Sequence, residues 1–228
     1  MVDIYWYGQS CFKIKGKNAT VAVDPYNPDF VGLKPPKIEA DIVCVTHGHE
    51  DHNFLGVIRN TENKDSDITS VSQDKPFVIN GPGEYEISGV NIVGISSFHD
   101  DKGGEERGKN TIYQILIDGV SIVHLGDLGQ KKLSQTQVEA LSGCDVLMVP
   151  VGGVYTIEAK DAPDIIASLE AKIVVPMHYK ISGLKFELAP LSDFMKVIGK
   201  ENVEPAPKLS VSADKMPEEL EVALLSVQ

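Results

Sequence analysis

Apolar and polar residues alternate from the start of the chain, with Val2, Ile4 and Trp6 set against Asp3, Tyr5 and Tyr7. A period of two marks a strand with one buried face. The same pattern predicts strands at 2–7, 11–15 and 20–23, the last two joined by a Gly16-Lys17-Asn18 turn. Asp24-Pro25 ends the third strand, and Pro28, Gly32 and Pro35 make 25–36 a loop rather than an element. The apolar run Ile42 to Val45 reads as a buried strand. Residues 53–60 are compatible with a short helix, and 61–67 are polar loop. Strands are predicted at 77–80, 84–88, 90–95, 111–117 and 121–125, and the charged, glycine-rich run 100–108 between them is expected to be mobile. The period then changes: helices near 133–141, 161–170 and 191–199 alternate with strands at 145–150 and 173–177, and a last strand lies near 220–226.

Strand meanders that give way to alternating helices and strands predict an α/β or α+β sandwich. A chain of 228 residues fits one domain over 1–228, and it contains no repeat of solenoid length. There is a weaker internal likeness: Thr20 to Asp24 and Ser121 to Asp127 are both apolar strands that deliver an aspartate at the C-terminal end. Two related sheets with functional groups on their strand ends would account for it.

Composition narrows the classes. With 42% hydrophobic and 24% charged residues the chain can build an ordinary core. Lys and Arg total 21 against 33 Asp and Glu, a net charge of −12, so nucleic acid is not expected as a partner. Cys11, Cys44 and Cys144 are odd in number and widely spaced, which excludes a readable disulfide framework or thiolate zinc cluster. No leader-like segment opens the chain and no apolar run approaches the roughly 20 residues of a membrane span. A cytoplasmic protein with no membrane partner is expected. The aromatic residues near the N-terminus suggest a homo-oligomer.

The chemistry concentrates in Thr46-His47-Gly48-His49-Glu50-Asp51-His52, directly after the 42–45 strand. In extended backbone alternate residues point the same way, so His47 and His49 can present imidazoles to one ion. Once the chain turns, Asp51 and His52 project differently and can serve a second ion. Neutral imidazole and carboxylate suit zinc, manganese or iron. Two ions need more ligands than one loop holds. His99, Asp127 and His178 each come after a predicted strand, where sheets gather their ligands.

These residues carry a family resemblance. The His47-Gly-His49-Glu-Asp51-His52 run, with Asp24 before it and His99, Asp127 and His178 after it, resembles the metallo-β-lactamase superfamily. Gly81-Pro-Gly-Glu-Tyr-Glu86, Gly108-Lys-Asn-Thr111, His124-Leu-Gly-Asp-Leu-Gly129, Pro150-Val-Gly-Gly153 and Pro176-Met-His-Tyr-Lys180 are similar to its branch of zinc-dependent hydrolases, to which L-ascorbate-6-phosphate lactonase is related. The resemblance implies a four-layer αββα sandwich with the site along one edge of the two sheets. It further implies that His47, His49 and His99 bind a first metal, that Asp51, His52 and His178 bind a second, and that Asp127 bridges both.

The activity implied is that of a hydrolase using a hydroxide held by two divalent metal ions, zinc first with manganese or iron as alternatives, on a small ester, lactone or phosphorylated metabolite. Asp51 would orient the nucleophile or take its proton. His124 is either a leaving-group acid or a buried, hydrogen-bonded histidine. Asp24 is either a partner of a metal-bound imidazole or the turn-former of an Asp-Pro pair. Tyr155, Tyr179 and Lys180 are candidate substrate contacts. Gln130 departs from the family pattern, in which a histidine often follows Gly-Asp-Leu-Gly, and brings any acid-base role there into question. The competing readings are a metallonuclease, disfavoured by the acidic charge, and a metal-binding protein that does not catalyse. A diiron oxidoreductase would carry a glutamate at His49.

Overall fold

The computed structural model describes residues 1–59 and 75–228. The first part of the chain runs β1 (Val2–Trp6), β2 (Phe12–Lys15), β3 (Thr20–Val23), α1 (Pro28–Val31), β4 (Ile38–Glu39), β5 (Ile42–Cys44), β6 (Ile58–Arg59) and β7 (Phe77–Ile79). It continues through β8 (Gly83–Ile87), β9 (Val90–Phe98), β10 (Lys109–Ile117), β11 (Val120–His124), α2 (Gln135–Ala140), β12 (Val146–Pro150), α3 (Ala162–Ser168), β13 (Ile173–Met177), α4 (Leu191–Ile198), β14 (Leu209–Val211) and β15 (Glu221–Val222).

Among the described residues these strands form a six-stranded sheet in the order β14-β1-β2-β3-β5-β7, a seven-stranded sheet in the order β15-β13-β12-β11-β10-β9-β8, and a small β4-β6 pair. Each large sheet changes character partway. β1, β2 and β3 pair antiparallel and β3, β5 and β7 pair parallel. β8 to β11 pair antiparallel, and β11, β12, β13 and β15 pair parallel, with α2 and α3 as crossovers. The two strands that deliver Asp24 and Asp127, β3 and β11, are those where antiparallel pairing turns parallel. The likeness between them in the sequence is therefore a likeness between the sheets.

Period-two alternation decides which side chains meet. Val21 and Val23 of β3, with Ile42 and Cys44 of β5, join a core that also takes Ile112, Ile115 and Ile122 of the other sheet. Ala22 and Val43, one position out of phase, turn to a second cluster with Tyr26, Val31 and Leu184. Ile165 of α3 and Phe194 of α4 cover the seven-stranded sheet. The fold is the expected mixed α/β sandwich, with one outer layer thinned: over the six-stranded sheet the described helix is the single turn α1, supplemented by Leu184 and Leu188.

Several local expectations need correction. The 25–36 loop contains α1, because Asn27 caps Asp29 N–H through its side chain and Pro28 occupies the first turn. The helix expected at 53–60 is a 3-10 turn at Leu55–Val57 followed by β6, whose Ile58 pairs with Ile38 of β4. The final strand is only Glu221–Val222. The polar loop expected at 61–67 lies outside the described residues. Of the N-terminal aromatics, Trp6 and Tyr7 are buried rather than exposed, and Lys13 lies over the half-buried Tyr5 ring.

The run 100–108 is not a loose linker. Asp100 accepts the backbone N–H groups of Lys102, Gly104, Glu106 and Arg107 at 2.7–2.9 Å, which winds the loop around one carboxylate. These bonds, the one from Arg107 foremost, hold the Asp100 carboxyl below its ordinary range.

Candidate metal centre

The ends of β3, β5, β9, β11 and β13 open on one edge of the sandwich, and the residues after them are Asp24, the 46–52 loop, His99, Asp127 and His178. The structure brings His47, His49 and His99 into one group and Asp51, His52, Asp127 and His178 into another, with potential ligand atoms in each group within 4.8 Å of one another. Asp127 Oδ2 lies between the groups, 3.5 Å from His99 Nε2, 3.1 Å from His52 Nε2 and 3.3 Å from His178 Nε2.

Hydrogen bonds assign the protons on two of these rings. Asp24 is fully buried; it accepts Thr46 N–H on Oδ1, and on Oδ2 it accepts the Thr46 hydroxyl at 2.7 Å and His52 Nδ1–H at 2.8 Å. With its hydrogen committed to Asp24, Thr46 Oγ1 accepts from His47 Nδ1–H at 3.0 Å. In the neutral rings the lone pairs therefore sit on His52 Nε2 and His47 Nε2. His47 Nε2 faces His49 Nδ1 at 3.0 Å. His52 Nε2 is buried, without a hydrogen bond among the described residues, and faces Asp127 Oδ2 at 3.1 Å and Asp51 Oδ2 at 3.4 Å. A lone pair turned on two carboxylates requires a cation between them, either a proton on the ring or a metal ion.

The electrostatics express the same demand. Burial opposes charging His52, but Asp127, Asp51 and Asp24 outweigh it and push its pKa well above the usual histidine value. Burial pushes Asp51 up, yet His52 holds it down at about 2. Asp127 is likewise held well below the carboxylate range against its burial, by His178 and His52. Burial lowers His47 to about 2 and lowers His99, so both rings stay neutral, which is the ligating form. Two ligands at about 2.0–2.1 Å and tetrahedral angles stand roughly 3.3 Å apart. The nitrogen and oxygen separations of 3.0–3.5 Å here fit that spacing.

The surroundings hold these groups in place. Asp127 Oδ1 accepts from Ser10 Oγ at 3.2 Å, and Asp127 N–H donates to Asn110 Oδ1 at 3.1 Å. His178 N–H donates to Gln9 O. Asp24 and His178 adopt positive φ, 48° and 51°, conformations that cost a non-glycine residue roughly 1–3 kcal/mol. Gly129 and Gly152 let the backbones of His99 and His178 pass closely; a Cβ on either would overlap the backbone of the histidine beside it.

A cavity of about 550 Å³ opens on the cluster. Phe30 of α1, Glu106 and Arg107 of the 100–108 run, and Tyr155 line it, and Phe186 adds a wall that no local signal indicates. Asp51, with 13% of its side chain exposed, reaches the cavity.

Other expected site residues lie elsewhere. His124 is fully buried, its Nε2–H donating to Ser10 O at 2.9 Å and its Nδ1 accepting from Gly126 N–H at 3.1 Å. With both ring nitrogens committed to backbone and its pKa lowered by burial, it cannot act as a leaving-group acid. Tyr179 is buried against Trp6, with ring centroids 5.1 Å apart, rather than facing substrate. Lys180 donates to Phe186 O and pairs with Glu187, and it does not line the cavity. Gln130 binds Gln137 and the Lys132 carbonyl. Gln9, Ser10 and Arg107 belong to the site or its support although nothing in the local pattern singles them out, and Asn110 of the Gly108-to-Thr111 motif supports Asp127.

Comparison with known proteins agrees with this architecture. Residues 3–178 match the family model of the beta-lactamase superfamily domain. A "UPF0173 metal-dependent hydrolase" of Thermococcus onnurineus is 30% identical over 195 residues, spanning 78% of this chain and 85% of the relative. Another of Methanoculleus marisnigri is 32% identical over 187 residues, 76% of this chain and 79% of the relative. A metallo-beta-lactamase superfamily structure from Thermotoga maritima superposes with a TM-score of 0.76 at 33% identity, covering 99% of this chain and 100% of the other. By fold, by sequence and by its edge cluster of histidines and aspartates, the chain belongs to the beta-lactamase superfamily, among its metal-dependent hydrolases.

Proposed function

We propose that this hydrolase holds two divalent ions, zinc before manganese or iron, one on His47, His49 and His99 and one on Asp51, His52 and His178, with Asp127 between them. The observation that carries the reading is the His52 Nε2 lone pair, buried and aimed at two carboxylates. When bound, such a pair of ions lowers the pKa of a water toward neutrality and polarises the oxygen of the bond being broken.

The chain's own residues do the positioning. Asp24 holds the His52 ring and Thr46 holds His47, so both present lone pairs without rearrangement. Asp51 stays ionised through the neutral range and faces the cavity, where it can accept a hydrogen bond from a water and fix its approach. Asp127 is tied by Ser10 and Asn110 and has no freedom to shuttle a proton. Phe30, Tyr155 and Phe186 give apolar walls of the kind that enclose small ligands. A small ester, lactone or phosphorylated metabolite fits such a cavity, and the net charge of −12 supports a small molecule over nucleic acid. The three buried, unpaired cysteines support a cytoplasmic setting.

Metal content per chain tests this directly, measured by plasma mass spectrometry after zinc or manganese loading and desalting. We expect two ions in the native protein, one lost in His47→Ala and both weakened in Asp127→Ala, with metal-dependent turnover in a screen of esters, lactones and phosphodiesters. A native protein that retains no metal would overturn the ligand assignment and the reaction built on it.

A further inference from the structure

The Gly8-Gln9-Ser10 turn passes beneath the cavity. Gln9 is 1% exposed, yet among the described residues neither its Nε2 nor its Oε1 has a hydrogen-bond partner, and the residue lines the cavity beside Asp127 and His178. Its backbone is held there: Gln9 O accepts both Trp6 Nε1–H at 2.9 Å and His178 N–H at 3.2 Å, and its φ is 49°. Folding would be better served by an apolar side chain, because a buried amide without partners is destabilising. A carboxamide fixed at a cavity wall with both ends unpaired is completed by what enters the cavity.

The second free donor is Arg107. It is the one lysine or arginine among the lining residues, in a chain with an excess of acidic groups. Its guanidinium lies over the Tyr155 ring, 5.6 Å from the centroid, and makes no ion pair among the described residues. The neighbouring carboxylates on the rim are engaged with others, Glu106 with Lys102 and Glu50 with Asn27. The Arg107 backbone is pinned, its N–H donating to Asp100 at 2.7 Å. A cation held on a rigid loop, stacked on an aromatic ring and left unpaired is built to receive an anion.

We propose that the cavity selects a small substrate carrying a carboxylate or phosphate, with Arg107 taking the charged group and the Gln9 carboxamide hydrogen-bonding the oxygen at the reacting end. This rests on the hydrolase reading and narrows its substrate class. It moves anion recognition from Lys180, which is occupied, to Arg107. At the reacting end a fixed amide N–H is worth most where charge develops on an oxygen.

The test uses the zinc-loaded full chain and two matched pairs of probes. Calorimetry compares glutarate with its neutral diamide, and kinetics compare mono-4-nitrophenyl glutarate with 4-nitrophenyl pentanoate. We expect the native protein to prefer the anion in both assays and Arg107→Met to cut that preference roughly ten- to a hundredfold, the range of one charge-assisted contact, with partial recovery in Arg107→Lys. Gln9→Met should weaken binding and turnover while leaving Tm unchanged or raised. An anion preference that is absent, or that survives Arg107→Met, overturns the proposal. So does a Gln9→Met variant that loses several degrees in Tm but binds as the native protein does, since the amide would then serve the fold. Arg107-dependent glutarate binding without turnover of either ester would count against the hydrolase reading alone. Metal-dependent turnover without an anion preference would sink the anion subsite alone.

Discussion

Replacing Asp24 by Asn leaves the shape of the side chain almost untouched and changes one oxygen from acceptor to donor. The wild-type carboxylate takes three hydrogen bonds, from Thr46 N–H at 2.8 Å, Thr46 Oγ1 at 2.7 Å and His52 Nδ1–H at 2.8 Å. An amide oxygen placed at Oδ2 keeps the last two but sets an NH2 against Thr46 N–H. Turned the other way, it sets the NH2 against His52 Nδ1–H. At least one donor is therefore lost or opposed, in a site with no exposed surface. A hydrogen bond to a charged group contributes roughly 1.5–3 kcal/mol, and we expect a stability loss of that size in the metal-free protein. Removing the carboxylate behind a metal-bound imidazole weakens metal affinity by roughly 10–100-fold. Two assays read these effects separately: urea denaturation in a chelator, and zinc competition against a chromophoric chelator. Asparagine tolerates the positive φ of this position, so backbone strain does not confound the comparison. Zinc affinity within twofold of native would refute the reasoning and return Asp24 to the role of an Asp-Pro turn-former.

Other perturbations probe the same structure. His47 and His99 are lowered by burial, so the unfolded chain binds protons that the folded one refuses, and metal-free stability falls as pH drops below about 6.5. His47 alone contributes about 1 kcal/mol of loss between pH 6.5 and 5.5, and His52, already protonated in the fold, offsets only about 0.3 kcal/mol of it while the unfolded imidazole finishes titrating; a flat urea-denaturation profile in chelator over that range would contradict this. His124→Gln should cost about 1–3 kcal/mol through unpaired backbone groups yet leave the pH profile of the remaining activity in place, and a lost acidic or basic limb would restore a proton-transfer role. Asp100→Ala frees four backbone N–H groups, so trypsin should cut after Lys102 and Arg107 much faster than in the native protein, as read by mass spectrometry. Gly152→Ala forces a Cβ into the His178 carbonyl, and the variant should retain less metal than the native protein at equal folded fraction, checked by circular dichroism.

Much of this protein is written in short-range pattern. A period of two in Val2 to Trp6 and an unbroken apolar run over Ile42 to Val45 specify strands because adjacent side chains on a pleat point to opposite faces, whatever lies far away. The His47 to His52 loop announces metal chemistry for the same reason, since four candidate ligands within six residues need no distant partner to be noticed. Where an element depends on a remote partner, local pattern misleads: 53–60 suits a helix until Ile58 finds Ile38. Residues 100–108 suit a mobile linker until Asp100 gathers the loop's N–H groups. The roles of Asp24 and His124, alike ambiguous in the sequence, were separated by which atoms face them. Asp24 meets His52, 28 residues on, while His124 meets the backbone of Ser10, 114 residues back. Gln9, Ser10 and Arg107 carry no motif at all. A hydrogen bond requires two groups within about 3 Å, and only the closing of two sheets against each other sets such distances between residues a hundred positions apart.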